Sequence, residues 1–392
     1  MGRESARKVI ICLSHLTWDR KLFQRPQQLM LQLSKRFNVL YVNDHSFFRF
    51  ITDMFSKEKN FNLNINSSLT VYTPFGLPSR FKKLSLFTQL NKMLSPFLVR
   101  RKLRKLKFAD TILWIYHPRY LYMIKKLEAD LVIYDCMDDY TSLSFRDKDR
   151  EKLTLYERDL LKRADIVFVG GYSIAELKMH VRNDIHVFPS AVEINHFKRA
   201  FSSDIEVPND IKDIPHPILG YWGAIDERID HQLLASLALK NPDWHIVLLG
   251  PIVKLQPREL PYLREMKNIT WLGPKDYTIL PSYAKVFDVC LMPFVLTIEG
   301  RYLSPTKTLE YLATGKPVIS TPIPDVVRFF DGVVTVAEGV DDFGRAVRRC
   351  LAEDNVHMRH KRIAFTEGKT WENTAAMMEQ LLLAAIEKRN TI

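Results

Sequence analysis

The chain has 392 residues, 46% of them hydrophobic, and a formal charge of +12; this is too long for one ordinary domain, fits two of about 150–200 residues, and is too apolar for long disordered tails. The four cysteines, Cys12, Cys136, Cys290 and Cys350, lie far apart and form no CxxC, which argues against a zinc site or disulfide framework and points to the reduced cytoplasm. The first apolar run, Val9–Leu13, is too short for a signal-peptide core or a membrane span, and no run of about 18 apolar residues occurs.

Short β-branched runs alternate with helical stretches along the chain. The first half predicts strands at Val9–Leu13, Val39–Val42, Thr111–Ile115, Leu131–Tyr134, Ile166–Val169 and Ile185–Phe188. The second predicts Ile218–Trp222, Ile246–Leu249, Ile269–Trp271, Val289–Met292, Val318–Ser320 and Val333–Val336. Several are almost wholly apolar, as strands buried on both faces are, and the alternation implies α/β lobes built on parallel sheets. The pattern breaks at residues 196–217, a polar stretch with three prolines that reads as a linker. The chain then divides into a first lobe over residues 1–195, a second over 210–370, and a closing helix over 371–392. That helix puts Trp371, Ala375, Met378, Leu382 and Ala385 on one face, which needs a surface; the first lobe offers one. Open parallel sheets bind ligands at the carboxyl ends of their strands, so two facing lobes imply a ligand cleft between them.

The loop SHLTWDRKLFQRP, residues 14–26, follows the first strand. It holds no GxGxxG, which argues against a dinucleotide oxidoreductase. His15, Trp18, Arg20 and Arg25 are its candidate ligand contacts, with His15 and Arg25 assigned to the acceptor or phosphate side and a structural role as the alternative for each. Residues 80–109 carry ten Lys or Arg and no acid, interleaved with apolar side chains. A solvated helix face and a surface that docks on anionic lipid, through residues 80–107, both fit. Nucleic acid is not expected, because no nucleic-acid motif accompanies the charge. His117, in WIYHPRY, ends another strand and is a cleft candidate. Asp135, Asp138 and Asp139 follow the strand of LVIYDCMDDYTSLS. Carboxylates this close repel one another, so at least one should hold its proton more tightly and suit proton transfer. Capping and turn-forming aspartates are the plain alternative.

The strongest local pattern is LSPTKTLEYLATGKPVIST, residues 303–321. Ser304 suits an N-cap, Pro305 the first helical turn, and Gly315 with Pro317 the stop. Free N–H groups near Thr306, with Lys307 added, make the helix start an anion site. Glu310 shares a face with Lys307 and is placed to accept hydrogen bonds from a ribose diol. Without further context, a plain capped helix carrying a Lys–Glu surface pair explains the same residues.

This segment resembles the donor-site helix of retaining GT-B glycosyltransferases, above all glycosyltransferase family 4. Those carry two glutamates eight apart, followed by a small residue, Gly, a variable residue and Pro-Val. Glu310 with ATGKPVI matches the second glutamate, while Tyr302 stands where the first would be; Glu299, in the same loop, is a substitute. GYWGAIDERID, residues 220–230, resembles the family's glycine turn, with Gly223 in the turn and Arg228 in place of a diphosphate-binding Lys. Ala224 stands where the family has an Arg; for Arg228 a surface ion pair with Glu227 or Asp230 is the alternative. ITWLGPKDYTILPSYAKVFDVCLMP resembles the next strand and turn, with the base near Gly273 to Lys275. FPSAVEINHF, RADIVFVGGYS and the closing TWENTA resemble further family segments. The resemblance implies a GT-B fold, two Rossmann-like lobes with parallel sheets facing a central cleft. It also implies transfer of a sugar from a nucleoside-diphosphate sugar to a polysaccharide or glycolipid acceptor, with retention at the anomeric carbon.

No cofactor and no metal are expected beyond the nucleotide-sugar substrate: the aspartate spacing is not the DxD of metal-dependent, single-sheet glycosyltransferases. The expected location is the cytoplasm, at the inner face of the membrane if the basic stretch docks there. A sugar-nucleotide epimerase of the same fold and a basic-patch nucleic-acid or scaffold protein stay open as alternatives.

Overall fold

The computed structural model describes residues 8–18, 23–44, 62–77, 85–106, 110–141, 147–253, 255, 260–296 and 306–390. Its strands form two sheets, one per lobe. Lobe one holds β1 (Val9–Leu13), β2 (Asn38–Val42), β3 (Asn62–Asn64), β4 (Leu69–Tyr72), β5 (Thr111–Ile115), β6 (Leu131–Cys136), β7 (Ile166–Val169) and β8 (Ile185–Val187). They lie in the order β3-β4-β2-β1-β5-β6-β7-β8, parallel throughout except for β3 against β4. Lobe two holds β9 (Ile218–Trp222), β10 (His245–Leu249), β11 (Ile269–Gly273), β12 (Val289–Met292), β13 (Val318–Ser320) and β14 (Thr335–Val336). Their order is β11-β10-β9-β12-β13-β14, all parallel.

The central strands β1, β6, β7 and β9 are buried at every residue, because helices cover both faces of each sheet. The twelve strands read from the sequence all form, within two residues at each end. Two strands had no signal. Asn62–Asn64 is polar and fully exposed, and Leu69–Tyr72 alternates between buried and half-buried at the sheet edge. The first sheet is therefore mixed rather than wholly parallel.

The chain crosses between lobes twice, side by side. Val192 pairs with Thr370, and its N–H donates to the Lys369 carbonyl at 3.0 Å. Residues after Val192 already pack on lobe two: Phe197, Ala200 and Ile211 sit in the same core as Trp222 and Leu309. The polar stretch 196–217 is thus lobe-two structure, and the crossing lies just before it. After the second crossing, the helix Trp371–Asn390 returns to lobe one. Trp371, Ala375, Met378 and Leu382 step along one face and pack on Leu29, Met30 and Leu33 of the helix Arg25–Leu33. Each large apolar side chain buried this way contributes about 1.5–3 kcal/mol, so the C-terminal helix is held firmly on lobe one after the chain has left lobe two.

A second junction joins the lobes near the crossing. The carboxylate of Asp325, in lobe two, accepts the N–H groups of Tyr172 and Ser173 at 3.0 and 3.1 Å. It thereby caps the lobe-one helix Tyr172–Lys178 from the other domain.

Candidate functional site

The cleft between the lobes is lined by Phe23 and Gln24 from lobe one and by Trp222, Gly223, Gly250, Lys275, Tyr277, Lys307 and Glu310 from lobe two. On the lobe-two side, β9 and β10 deliver tight glycine turns at their carboxyl ends. The N–H of Gly223 donates to Leu249, and that of Gly250 to Gly273, each at 2.9 Å. Gly250 has φ +140°, and a Cβ there would stand 1.8 Å from the Gly223 carbonyl oxygen. Gly223 has φ +152°, and its Cβ would crowd Tyr221 and the Lys307 stem. Backbone from neighbouring strands is packed so closely here that only glycine fits, which leaves the floor of the cleft open to a ligand.

The helix Thr306–Ala313 runs from this floor. Its sequence TKTLEYLA buries Leu309 and Leu312 in the lobe core and turns Lys307 and Glu310 to the cleft. Lys307 Nζ lies 3.5 Å from Glu310 Oε2. The Trp222 indole N–H donates to the same oxygen at 2.8 Å, and the Tyr311 hydroxyl accepts the Trp222 backbone N–H at 3.0 Å. Trp222 and the helix fix each other, and Glu310 Oε1 has no hydrogen-bond partner among the described residues. Glu310 is 6% exposed. A carboxylate so buried, with one oxygen left over, suits a ligand hydroxyl.

Other lobe-two residues singled out from the sequence fall differently. Ser304 lies outside the described residues, as do Tyr302 and Glu299; Thr306 is described in its backbone only. Gly273 ends β11 with φ +74°. Lys275 lines the cleft, but its ammonium is held 2.6 Å from Asp210 and over the Tyr283 ring. Arg228 is clamped by Asp226, with Nε 3.0 and 3.1 Å from the two carboxylate oxygens. Its partner is Asp226, not Glu227 or Asp230.

The three lobe-one aspartates diverge. Asp135 is wholly buried and bonded to Arg25, whose Nε lies 3.0 and 3.2 Å from its two oxygens. Arg25 is 1% exposed and also donates to the Phe188 carbonyl at 2.7 Å. Neither offers a face to a ligand: the Arg25 phosphate contact and the catalytic Asp135 give way to a buried ion pair that ties the first helix to β6. Asp139 accepts from Lys178 at 2.9 Å, inside a network where Lys178 also meets Glu157 at 2.7 Å and Glu157 accepts the Tyr134 hydroxyl. It too is structural.

Asp138 alone keeps a partly exposed position. Burial pushes its carboxyl up to about 6; Arg228, facing it from lobe two, draws it down, while Asp139 and Asp226 push it up. The chief cause is burial rather than repulsion within the trio. Arg20 lies outside the described residues. His15, His117 and Tyr140 cluster at the ends of β1, β5 and β6 in tilted and edge-to-face contacts, ring centroids 4.4–5.2 Å apart. Burial lowers His15 to about 3 and His117 to about 2, so both rings are neutral near pH 7. His117 Nδ1 accepts the Arg119 N–H and caps a short helical turn, whereas the buried Nδ1 of His15 has no partner among the described residues. No group of three or more His, Cys, Asp or Glu among the described residues is arranged to hold a metal.

Trp222 and Tyr277 line the cleft although the sequence singles out neither as a site residue, and the buried Gln28 supports Tyr277 from lobe one. Gln28 Nε2 donates to Tyr277 Oη at 3.2 Å and to Glu193 at 3.0 Å, so lobe one touches the wall of the lobe-two site. Tyr277 also stacks on His196, with centroids 4.7 Å apart. Only the position of Trp222, last in its strand and next to the glycine turn, marks it in the sequence.

Residues 216–353, the body of lobe two, match the family described as glycosyl transferases group 1. A Bacillus subtilis (strain 168) protein with the provisional name teichuronic acid biosynthesis glycosyltransferase TuaH is 27% identical over 228 residues; the match spans 55% of this chain and 56% of that protein. The fold is similar to sucrose-phosphate synthase from Thermosynechococcus elongatus, with a TM-score of 0.72 and 15% identity over 97% of this chain and 100% of that one. It is also similar to Anabaena Alr3699/HepE in complex with UDP-glucose, with a TM-score of 0.67 and 10% identity over 96% of this chain and 100% of that one.

Proposed function

Because the chain is a GT-B fold relative of the group 1 glycosyl transferases, we propose that it transfers a sugar from a nucleoside-diphosphate sugar to a glycan or lipid-linked acceptor. The observation that carries this reading is the set Lys307, Glu310 and Trp222 above the Gly223–Gly250 floor. The ammonium and free N–H groups at the helix start meet a diphosphate. Glu310, one turn on and fixed by the indole, takes the ribose diol. Solved relatives of this fold hold UDP or UDP-glucose, which supports a uridine nucleotide as the first ligand to try. During transfer, negative charge builds on the leaving diphosphate, and Lys307 stabilises it where it forms. Asp138, poised near neutrality opposite Arg228, is the lobe-one group best placed to share a proton with the acceptor hydroxyl. The reading includes retention of anomeric configuration and work at the cytoplasmic face of a membrane.

A thermal-shift screen with UDP-, GDP- and ADP-sugars tests the donor site, since a ligand of the folded state raises the melting temperature. One of the three should stabilise the protein, and Glu310→Ala should weaken that ligand about 10–100-fold through loss of hydrogen bonds to a charged group. No shift with any donor, or wild-type affinity in Glu310→Ala, defeats the assignment. Donor consumed without acceptor, with inversion at a sugar carbon, would mark an epimerase instead.

A further inference from the structure

Resting on the reading that lobe one faces a membrane, we propose that the helix Ser85–Leu106 docks this lobe on an anionic bilayer and that the pocket beside it holds a lipid headgroup phosphate. The helix runs 22 residues without an acid. Leu86, Leu90, Met93 and Phe97, spaced four, three and four apart, share one face and are 65%, 39%, 69% and 59% exposed. The opposite face, with Asn91, Ser95, Val99 and Leu103, is buried in the lobe. Arg101 and Arg104 are exposed and continue the outer face, while Arg100 reaches Glu128 at 3.1 Å. One exposed stripe is thus apolar in its first half and cationic in its second, the pattern of a helix lying in a membrane interface. Arg80, Lys82, Lys83 and Lys107 of the same basic stretch lie outside the described residues. No helix among the described residues is long and apolar enough to cross a membrane.

The pocket borders this helix. Lys92, between Leu90 and Met93 in the chain, reaches over the rings of Tyr122 and Tyr156 at 5.9 and 6.0 Å. Arg119, Lys125 and Arg163 line the same pocket. The carboxylate in its lining, Asp159, lies 3.6 Å from Arg163. Arg119 pairs with Asp44 at 3.1 Å and donates to the Tyr120 hydroxyl at 2.9 Å, while its buried Nε has no hydrogen-bond partner among the described residues. Four cations against two carboxylates, Asp44 and Asp159, walled by tyrosines and next to an apolar stripe, fit a phosphate whose acyl chains lie in the layer the stripe enters.

The test is vesicle co-sedimentation of the full chain with phosphatidylcholine alone and with added phosphatidylglycerol. Binding should appear only with phosphatidylglycerol and fall with salt. Lys92→Ala with Arg163→Ala should lower it roughly 30-fold, at about fivefold per cation near an anionic surface. Met93→Ser with Phe97→Ser should lower it more than tenfold through lost apolar burial. Thermal melts of both variants check that they fold, and the readout needs no turnover, so it stands or falls apart from the donor assignment. Equal binding to phosphatidylcholine alone, no vesicle binding, or wild-type binding by the pocket variant overturns the proposal. So does full displacement by millimolar inorganic phosphate, which marks a soluble-phosphate site, or a dimer that Met93→Ser with Phe97→Ser dissolves, which marks a self-interface.

Discussion

Replacing Asp138 with Asn should make the protein more stable at neutral pH and slower at its reaction. Burial raises this carboxyl from 3.8 to about 6. Between those values the folded chain keeps the proton while the unfolded chain releases it, so stability falls as pH rises through the window. At about 1.36 kcal/mol per pH unit, the ionised group costs the fold about 3 kcal/mol in full. Its partial exposure and screening trim this to about 1–2 kcal/mol. Asn has the same shape and no charge to bury. At about pH 8, Asp138→Asn should therefore melt about 2–6 °C above the wild type, and at about pH 4 the gap should shrink to a few tenths of a kcal/mol. Turnover should drop about 100-fold if Asp138 exchanges a proton with the acceptor. Melting curves at both pH values and initial rates at neutral pH decide the matter. A melting difference that does not change with pH, or a less stable variant at pH 8, would refute the reasoning.

Trp222→Phe removes the N–H that fixes Glu310 and leaves a gap in the lobe-two core; it should weaken nucleotide binding about fivefold, read by calorimetric titration, and cost about 1–3 kcal/mol in urea unfolding. Gly250→Ala forces a Cβ into the Gly223 carbonyl; donor binding should vanish, and wild-type affinity would show that the turns are not the floor of the site. Arg25→Ala strands a buried carboxylate and should cost about 3–5 kcal/mol in urea unfolding, whereas Arg25→Met with Asp135→Leu should recover most of that. Met378→Ala, on the returning helix, should cost about 2–5 kcal/mol and loosen lobe one, seen as faster amide exchange in the helix Arg25–Leu33.

The fold was legible because its signals are local. A run such as Val9–Leu13 announces a buried strand by composition alone, and strand–helix alternation leaves little choice of sheet type. What failed were strands whose reason to exist is a neighbour. Asn62–Asn64 is polar and exposed, and it is a strand only because Leu69–Tyr72 offers a free edge. The stretch 196–217 read as linker for a similar cause. Its polarity is real, but Phe197 and Ile211 anchor it in the lobe-two core.

The site divides along the same line. The part of the candidate site built from backbone, at the Gly223 turn and the start of the helix Thr306–Ala313, could be read from a glycine turn and from a lysine and a glutamate three residues apart. The part that depends on side chains from distant strands could not. Arg25 and Asp135 are 110 residues apart in sequence, and each alone looks like a cleft residue at the end of an element. Only the packing of the first helix over β6 shows that they neutralise each other in a buried pair. Asp138 and Asp139 are adjacent, yet one faces Arg228 across the lobes and the other is consumed by Lys178. Both lie in the loop just after β6, where no strand period sets the direction of a side chain, so their divergence shows only in the packed structure. A carboxylate cluster in sequence is therefore a list of candidates, from which packing removes Asp135 and Asp139 by pairing them with Arg25 and Lys178 of their own lobe.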